Sequence, residues 1–114
     1  MKAEYLFAGI PVADRSAAVA WYEAALGREP DLIPNENEAC WQLTETGWIY
    51  LIGDRERAGT ALNTILVSDL TALVAGFERL GLRPSRIDTS IPGMLTSVLT
   101  DPDGNRIQFA QQAS

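Results

Sequence analysis

The stretch FAGIPVADRSAAVAWYE, residues 7–23, returns fifty-five residues later as LNTILVSDLTALVAGFE, residues 62–78. Without gaps the two copies share Ile10/Ile65, Val12/Val67, Asp14/Asp69, Ala17/Ala72, Val19/Val74, Ala20/Ala75 and Glu23/Glu78. Ser16/Thr71 and Tyr22/Phe77 are close substitutions, and one deletion later Leu26-Gly27 answers Leu80-Gly81. Seven identities in seventeen positions, in one order, exceed what shared composition produces. Two copies are too few for a solenoid, in which at least three repeats stack to bury a core. They point to two halves that complete one another.

Each copy opens with a β-rich run, 5–12 and 61–67, and continues into a helix. Asp14 and Asp69 stand where a helix N-cap belongs, since a carboxylate there accepts from free backbone N–H groups and meets the positive helix end. Val19, Tyr22 and Leu26 recur along one face of the first helix, and Leu70, Val74 and Phe77 along one face of the second. Gly27 and Gly81 suit the left-handed position just past each helix. Three strand candidates follow in each half: 28–33, 38–43 and 47–52, then 83–89, 94–100 and 105–110. DPDGN (101–105) has turn chemistry between the last two, and TETG (44–47) fills the matching place in the first half. GDRERAGT (53–60) joins the halves. The expected fold class is α+β: one domain over 1–114, built of two βαβββ modules, about 1–53 and 61–114.

Length and composition agree with one ordinary globular domain of 114 residues, 46% hydrophobic and 21% charged. No apolar run approaches the roughly 20 residues needed to span a bilayer. The apolar start is interrupted by Glu4 and Asp14 and is too short for a signal peptide, so a cytoplasmic location is expected. Histidine is absent, which excludes a histidine base, a Ser-His-Asp triad and His-ligated zinc. Cys40 is the single cysteine, so no internal disulfide forms, and a lone thiol is usually a small packed hydrophobe. The net charge of −6 falls in residues 1–54, with nine acids against three bases; residues 55–114 hold six of each. Such a balance disfavours nucleic acid and anionic membranes, and suits either a cationic ligand or a solubilising surface.

GIPVADRSAAVAWYEAALG, LVSDLTALVAGFERLG and DPDGNRIQF together resemble the vicinal-oxygen-chelate superfamily, which holds the glyoxalases, the bleomycin-resistance proteins and the extradiol dioxygenases. The resemblance covers nearly the whole chain. It implies curved mixed sheets with helices on the outer face and a concave groove on the inner one. It also implies four metal-ligand positions on the strands, one on the opening strand of each module and one on each closing strand. Carried over residue by residue, these fall on Phe7, five before Val12, and Leu62, five before Val67. The closing-strand positions fall on Gln108, where the family pattern after DPDGN usually has Glu, and on Tyr50, its partner when Ile49 is aligned with Ile107. Phe and Leu have no donor. A phenol, with an ordinary pKa near 10, is neutral around pH 7. An amide is a weak oxygen donor that hard cations accept beside carboxylates. A slip of one residue brings in no carboxylate either. No metal and no cofactor are therefore expected.

Period-two alternation places Phe7, Trp48, Tyr50, Leu62, Arg106 and Gln108 on the groove side. Trp41 joins Trp48 as a candidate stacking surface for a planar or cationic ligand. The alternative is that Phe7, Tyr50 and Leu62 plug a vestigial metal cavity. Asp101 and Asp103 look like paired catalytic carboxylates, but their place in DPDGN favours Asx-turn hydrogen bonding. The resemblance then implies a metal-free binding protein, like the family's drug-sequestering resistance members, which are homodimers holding cationic antibiotics in grooves. The alternative is a glyoxalase-like lyase or isomerase, or a dioxygenase relative, with an atypical site that would use Tyr50 or Arg106 as acid or electrophile. A third reading, a module that senses a metabolite, would use the same groove.

Overall fold

The computed structural model describes residues 1–113. Its first half runs β1 (Leu6–Val12), α1 (Arg15–Leu26), β2 (Leu32–Asn35), β3 (Glu38–Gln42) and β4 (Gly47–Gly53). The second runs β5 (Leu62–Leu66), α2 (Leu70–Arg79), β6 (Met94–Thr100) and β7 (Arg106–Gln112). Two mixed sheets result, ordered β1-β4-β3-β2 and β5-β7-β6. In each, the opening strand lies parallel to the closing one, β1 on β4 and β5 on β7. The fold is thus α+β, with two helices and seven strands among the described residues.

The caps form as their residue types dictate. Asp14 accepts from the amides of Ser16 and Ala17, and Asp69 from that of Ala72. Gly27 adopts φ 82° and returns its N–H to the Glu23 carbonyl. Gly81, at φ 81°, and Leu82 close the second helix by bonding back to Glu78 and Phe77, the two crossed bonds of a Schellman ending.

One expected strand is missing. Residues 83–89 run beside β6 but pair with it only at an isolated bridge, Asp88 to Thr96. Pro84 brings no N–H to a ladder. The Ser85 hydroxyl oxygen, 2.9 Å from the Val98 amide, takes a bond that a backbone carbonyl would accept in a regular strand. The second module is therefore βαββ with an irregular fourth segment. Likewise the first strand after α1 begins at Leu32 rather than residue 28, because Arg28 and Asp31 are tied to each other and to the end of β3.

A single apolar cluster spans both halves. Ile10, Val12, Tyr22, Trp41, Ile49 and Leu51 from the first pack with Leu70, Phe77, Leu99, Ile107 and Phe109 from the second. The DPDGN turn fastens the halves together. Asp101, buried at 4% exposure, accepts from the Asp103 and Asn105 amides on one oxygen. Its other oxygen takes the Tyr22 hydroxyl at 2.7 Å and the Asn105 side-chain amide at 2.9 Å. Asn105 also donates to the Pro11 carbonyl and accepts from the Ala61 amide, while Asp103 accepts from the Ala13 amide. No helix among the described residues is long and apolar enough to cross a membrane.

Candidate ligand-binding faces

The parity of each strand separates two surfaces. Ile10, Val12, Ile49, Leu51, Ile107 and Phe109 turn under the helices and are buried. Phe7, Trp48 and Tyr50 in the first sheet, and Leu62, Arg106 and Gln108 in the second, lie on the opposite, open faces. Phe7 and Leu62 are 50% and 53% exposed, so neither is packed away within the single chain.

The open face of the first sheet is an aromatic surface. Phe7 stacks on Trp48 with ring centroids 5.4 Å apart and planes 18° from parallel, and meets Tyr50 edge-on at 6.5 Å. Tyr50 lies across its ladder partner Gly9: a Cβ at position 9 would sit 2.9 Å from the ring carbon and hydroxyl of Tyr50. Glycine at that seat is what lets the ring lie down. The Trp48 indole nitrogen is covered and has no hydrogen-bond partner among the described residues.

The register of the two parallel ladders superposes the halves. Phe7 pairs with Trp48 and Gly9 with Tyr50, while Leu62 pairs with Arg106 and Thr64 with Gln108. The offset of the sequence repeat carries Phe7 onto Leu62 and Gly9 onto Thr64. Trp48 and Arg106 thus occupy equivalent seats, as do Tyr50 and Gln108. The four seats that the resemblance assigns to metal ligands carry a phenyl ring, a phenol, an isobutyl group and a carboxamide. This donor set does not fit a divalent ion, which asks for several anionic or imidazole donors. No group of three or more His, Cys, Asp or Glu gathers elsewhere among the described residues.

Trp41 departs from expectation. It pairs with Ile49, shares that residue's parity, and is wholly buried beneath α1, 6.2 Å from the Tyr22 ring. Its indole N–H donates to the Arg28 carbonyl at 2.9 Å. It is a core residue, not a groove residue. The same antiparallel register brings to the open face three residues that sequence reasoning missed: Glu38, Cys40 and Gln42, opposite Ile52, Tyr50 and Trp48. Only the hairpin register, with Gln42 set against Trp48, could have revealed them. Burial first, and Glu38 second, push the Cys40 thiol above its ordinary pKa, so it stays protonated and is a poor nucleophile. Asp101 is fully occupied in the turn and Asp103 caps the Ala13 amide, so these carboxylates hold the fold together.

Of the acids of the first half, Glu38 is the one carried on a strand of this surface. Asp14 caps α1, Asp31 pairs with Arg28, and Asp54 pairs with Arg57. On the strands of the open faces the charged side chains are Glu38, which accepts from Asn35, and Arg106. Acidity that would draw a cation is thus not concentrated there.

Two βα-containing halves, each offering seats on a helix-free sheet face, define a domain of the vicinal-oxygen-chelate kind. The Glyoxalase/Bleomycin resistance protein/Dioxygenase superfamily profile matches residues 5–109, and the chain belongs to that superfamily. It is 39% identical to a glyoxalase / bleomycin resistance protein from Catenulispora acidiphila, covering 96% of this chain and 98% of that one with a TM-score of 0.88. An antibiotic binding protein from a Streptomyces species is 17% identical, with a TM-score of 0.80 and 98% of each chain covered. A lactoylglutathione lyase from Agrobacterium tumefaciens is 16% identical, also with a TM-score of 0.80, covering 96% of this chain and 94% of that one. The latter two similarities establish the fold alone, and they are equally good for a binding protein and an enzyme. No curated protein matches the chain.

Proposed function

We propose that the chain is a metal-free small-molecule-binding protein of the glyoxalase/bleomycin-resistance type, sequestering an aromatic ligand on its open sheet faces. One observation carries this: at the four ligand-bearing seats the side chains are Phe7, Tyr50, Leu62 and Gln108, which suit contact with an organic molecule rather than a divalent ion. The enzymatic alternative is weaker on the same ground. Lyase, isomerase and dioxygenase chemistry in this superfamily would need a metal at those seats, which these four side chains do not suit.

A homodimer is part of the proposal. Phe7, Leu62 and Leu66 are more than half or half exposed on the open faces. The Trp48 indole N–H is unmet, and a covered donor without a partner costs about 1–3 kcal/mol. A second copy setting module one against module two would cover these surfaces and turn two open faces into a groove, and a twofold pair is the commonest closed assembly. A cytoplasmic setting suits the free, buried thiol of Cys40.

The test is a thermal-shift screen of planar and charged small molecules, joined to elemental analysis of protein purified without chelator. A ligand at a hundredfold its Kd stabilises by about 2.7 kcal/mol, or roughly 10 °C at this chain length. Hits recovered chemically unchanged, with no stoichiometric metal, are the expected result. One tightly held Ni, Zn, Mn or Fe per chain, or conversion of a hit to product, would overturn the proposal.

A further inference from the structure

The two halves present chemically opposite walls at equivalent seats. Where module one has Trp48, module two has Arg106; where module one has Tyr50, module two has Gln108. In the dimer proposed above, a ligand held between module one of one copy and module two of the other would meet π faces on one side and N–H donors on the other. Arg106 is exposed and makes no ion pair or side-chain hydrogen bond among the described residues, whose ion pairs are Arg28–Asp31 and Arg57–Asp54. The other charge on these faces, Glu38, already accepts from the Asn35 amide at 2.7 Å. An unpaired guanidinium is a rigid fork of donors matched to a carboxylate, and the neighbouring carboxamide adds a further N–H.

From this arrangement we infer that the ligand is a planar aromatic molecule bearing a carboxylate or similarly anionic group, its rings on Trp48 and Tyr50 and its anion on Arg106 beside Gln108. The inference rests on the reading that the open faces bind a small molecule, and it reverses the preference for a cation that the net charge of −6 suggests. The overall charge acts at long range and is screened beyond about 8–10 Å at ordinary ionic strength. The group at the contact decides which end of a bound molecule is accepted.

Three probes of one shape separate the possibilities: 2-naphthoate, 2-naphthylmethylammonium and 2-naphthalenemethanol. Each is titrated into the full, ¹⁵N-labelled chain, following the three tryptophan indole N–H signals. The Trp48 signal should move, while that of buried Trp41 should not. Naphthoate should bind roughly tenfold more tightly than the alcohol, as a charge-assisted contact exceeds a neutral one, with the ammonium weakest. Raising the salt concentration should narrow the gap. In Arg106→Gln, naphthoate should fall to the level of the alcohol while the alcohol keeps its affinity within about twofold, since the substitution removes charge at an exposed site without disturbing the rings. The ammonium binding best, all three binding alike, or a naphthoate preference surviving Arg106→Gln would overturn the anion assignment and leave small-molecule binding standing. No shift of Trp48 with any probe would overturn both.

Discussion

Replacing Tyr22 by Phe removes one oxygen from the junction of the two halves. The lost bond is the 2.7 Å donation from the Tyr22 hydroxyl to a buried Asp101 oxygen, which then keeps Asn105 as its remaining partner. A hydrogen bond to a charged acceptor contributes about 1.5–3 kcal/mol, so a loss of about 2 kcal/mol at pH 7 is expected, with the ring packing kept. The pH dependence makes the test sharper. Burial above all, then the Asp101 hydrogen bond and the charges of Asp101 and Asp103, hold the Tyr22 hydroxyl protonated far above its ordinary range. In the unfolded chain it ionises near pH 10. The stabilisation is therefore fully present below pH 10 and lost as pH rises, because only the unfolded state gains by releasing the proton. The wild-type advantage should shrink by about 1.4 kcal/mol per pH unit above 10 and vanish near pH 11.5. Tyr5 and Tyr50 are common to both proteins and cancel in the difference. Urea unfolding of both proteins at pH 7, 9, 10.5 and 11.5 measures it. A gap under about 0.5 kcal/mol at pH 7, or one that stays constant to pH 11.5, would refute the role given to this bond.

Tyr50→Ala should cost more than a tenfold loss in affinity for any screening hit, the effect of removing an aromatic anchor worth roughly 2 kcal/mol, while moving the urea midpoint little. A stability loss of about 3–5 kcal/mol with affinity intact would instead show that Tyr50 fills a core. Gly9→Ala keeps Tyr50 but places a Cβ 2.9 Å from its ring, so the ring must lift; ligand affinity should fall while thermal stability changes by under about 1 kcal/mol. Unchanged affinity would remove the Tyr50 ring orientation from the site. Gln108→Glu restores one carboxylate among three seats that cannot ligate, and calorimetry with Ni²⁺, Zn²⁺ and Mn²⁺ should detect no specific site; binding would mean the other three seats are misassigned. Light scattering should give about twice the single-chain 12.4 kDa, and the single-chain mass at every concentration would end the dimer proposal.

Much of the architecture is written in local chemistry. Asp14, Asp69, Gly27 and Gly81 mark the helix ends because capping and left-handed turns select those residue types. Aligning Ile49 with Ile107 makes Tyr50 the counterpart of Gln108, and the two parallel ladders do give them equivalent seats. What stayed hidden depends on partners distant in sequence. Trp41 and Trp48 look alike as flanks of one hairpin, but in its register Trp41 faces Ile49 and Trp48 faces Gln42, so one is core and the other open. The segment around Ser85 alternates like a strand, yet its hydroxyl takes a ladder bond and Pro84 supplies none. The spread of acids in the first half is equally mute about the ligand, because a count of charges says nothing of which side of a sheet they reach.

The segment joining the halves has a mechanical consequence. It is pinned where Asp54 donates to the Val12 carbonyl, braced internally by the Arg57–Asp54 pair, and pinned again where Ala61 donates to Asn105. Gly59, at φ 86°, lies so close to the Asp103 backbone that a side chain would collide with it. A connector fastened at both ends has no slack to swing open as a hinge, and exchange of a whole module between chains would break the Asp101 junction as well. The dimer proposed above would then be a meeting of finished monomers, reversible by dilution and free of the slow unfolding step that swapped assemblies require.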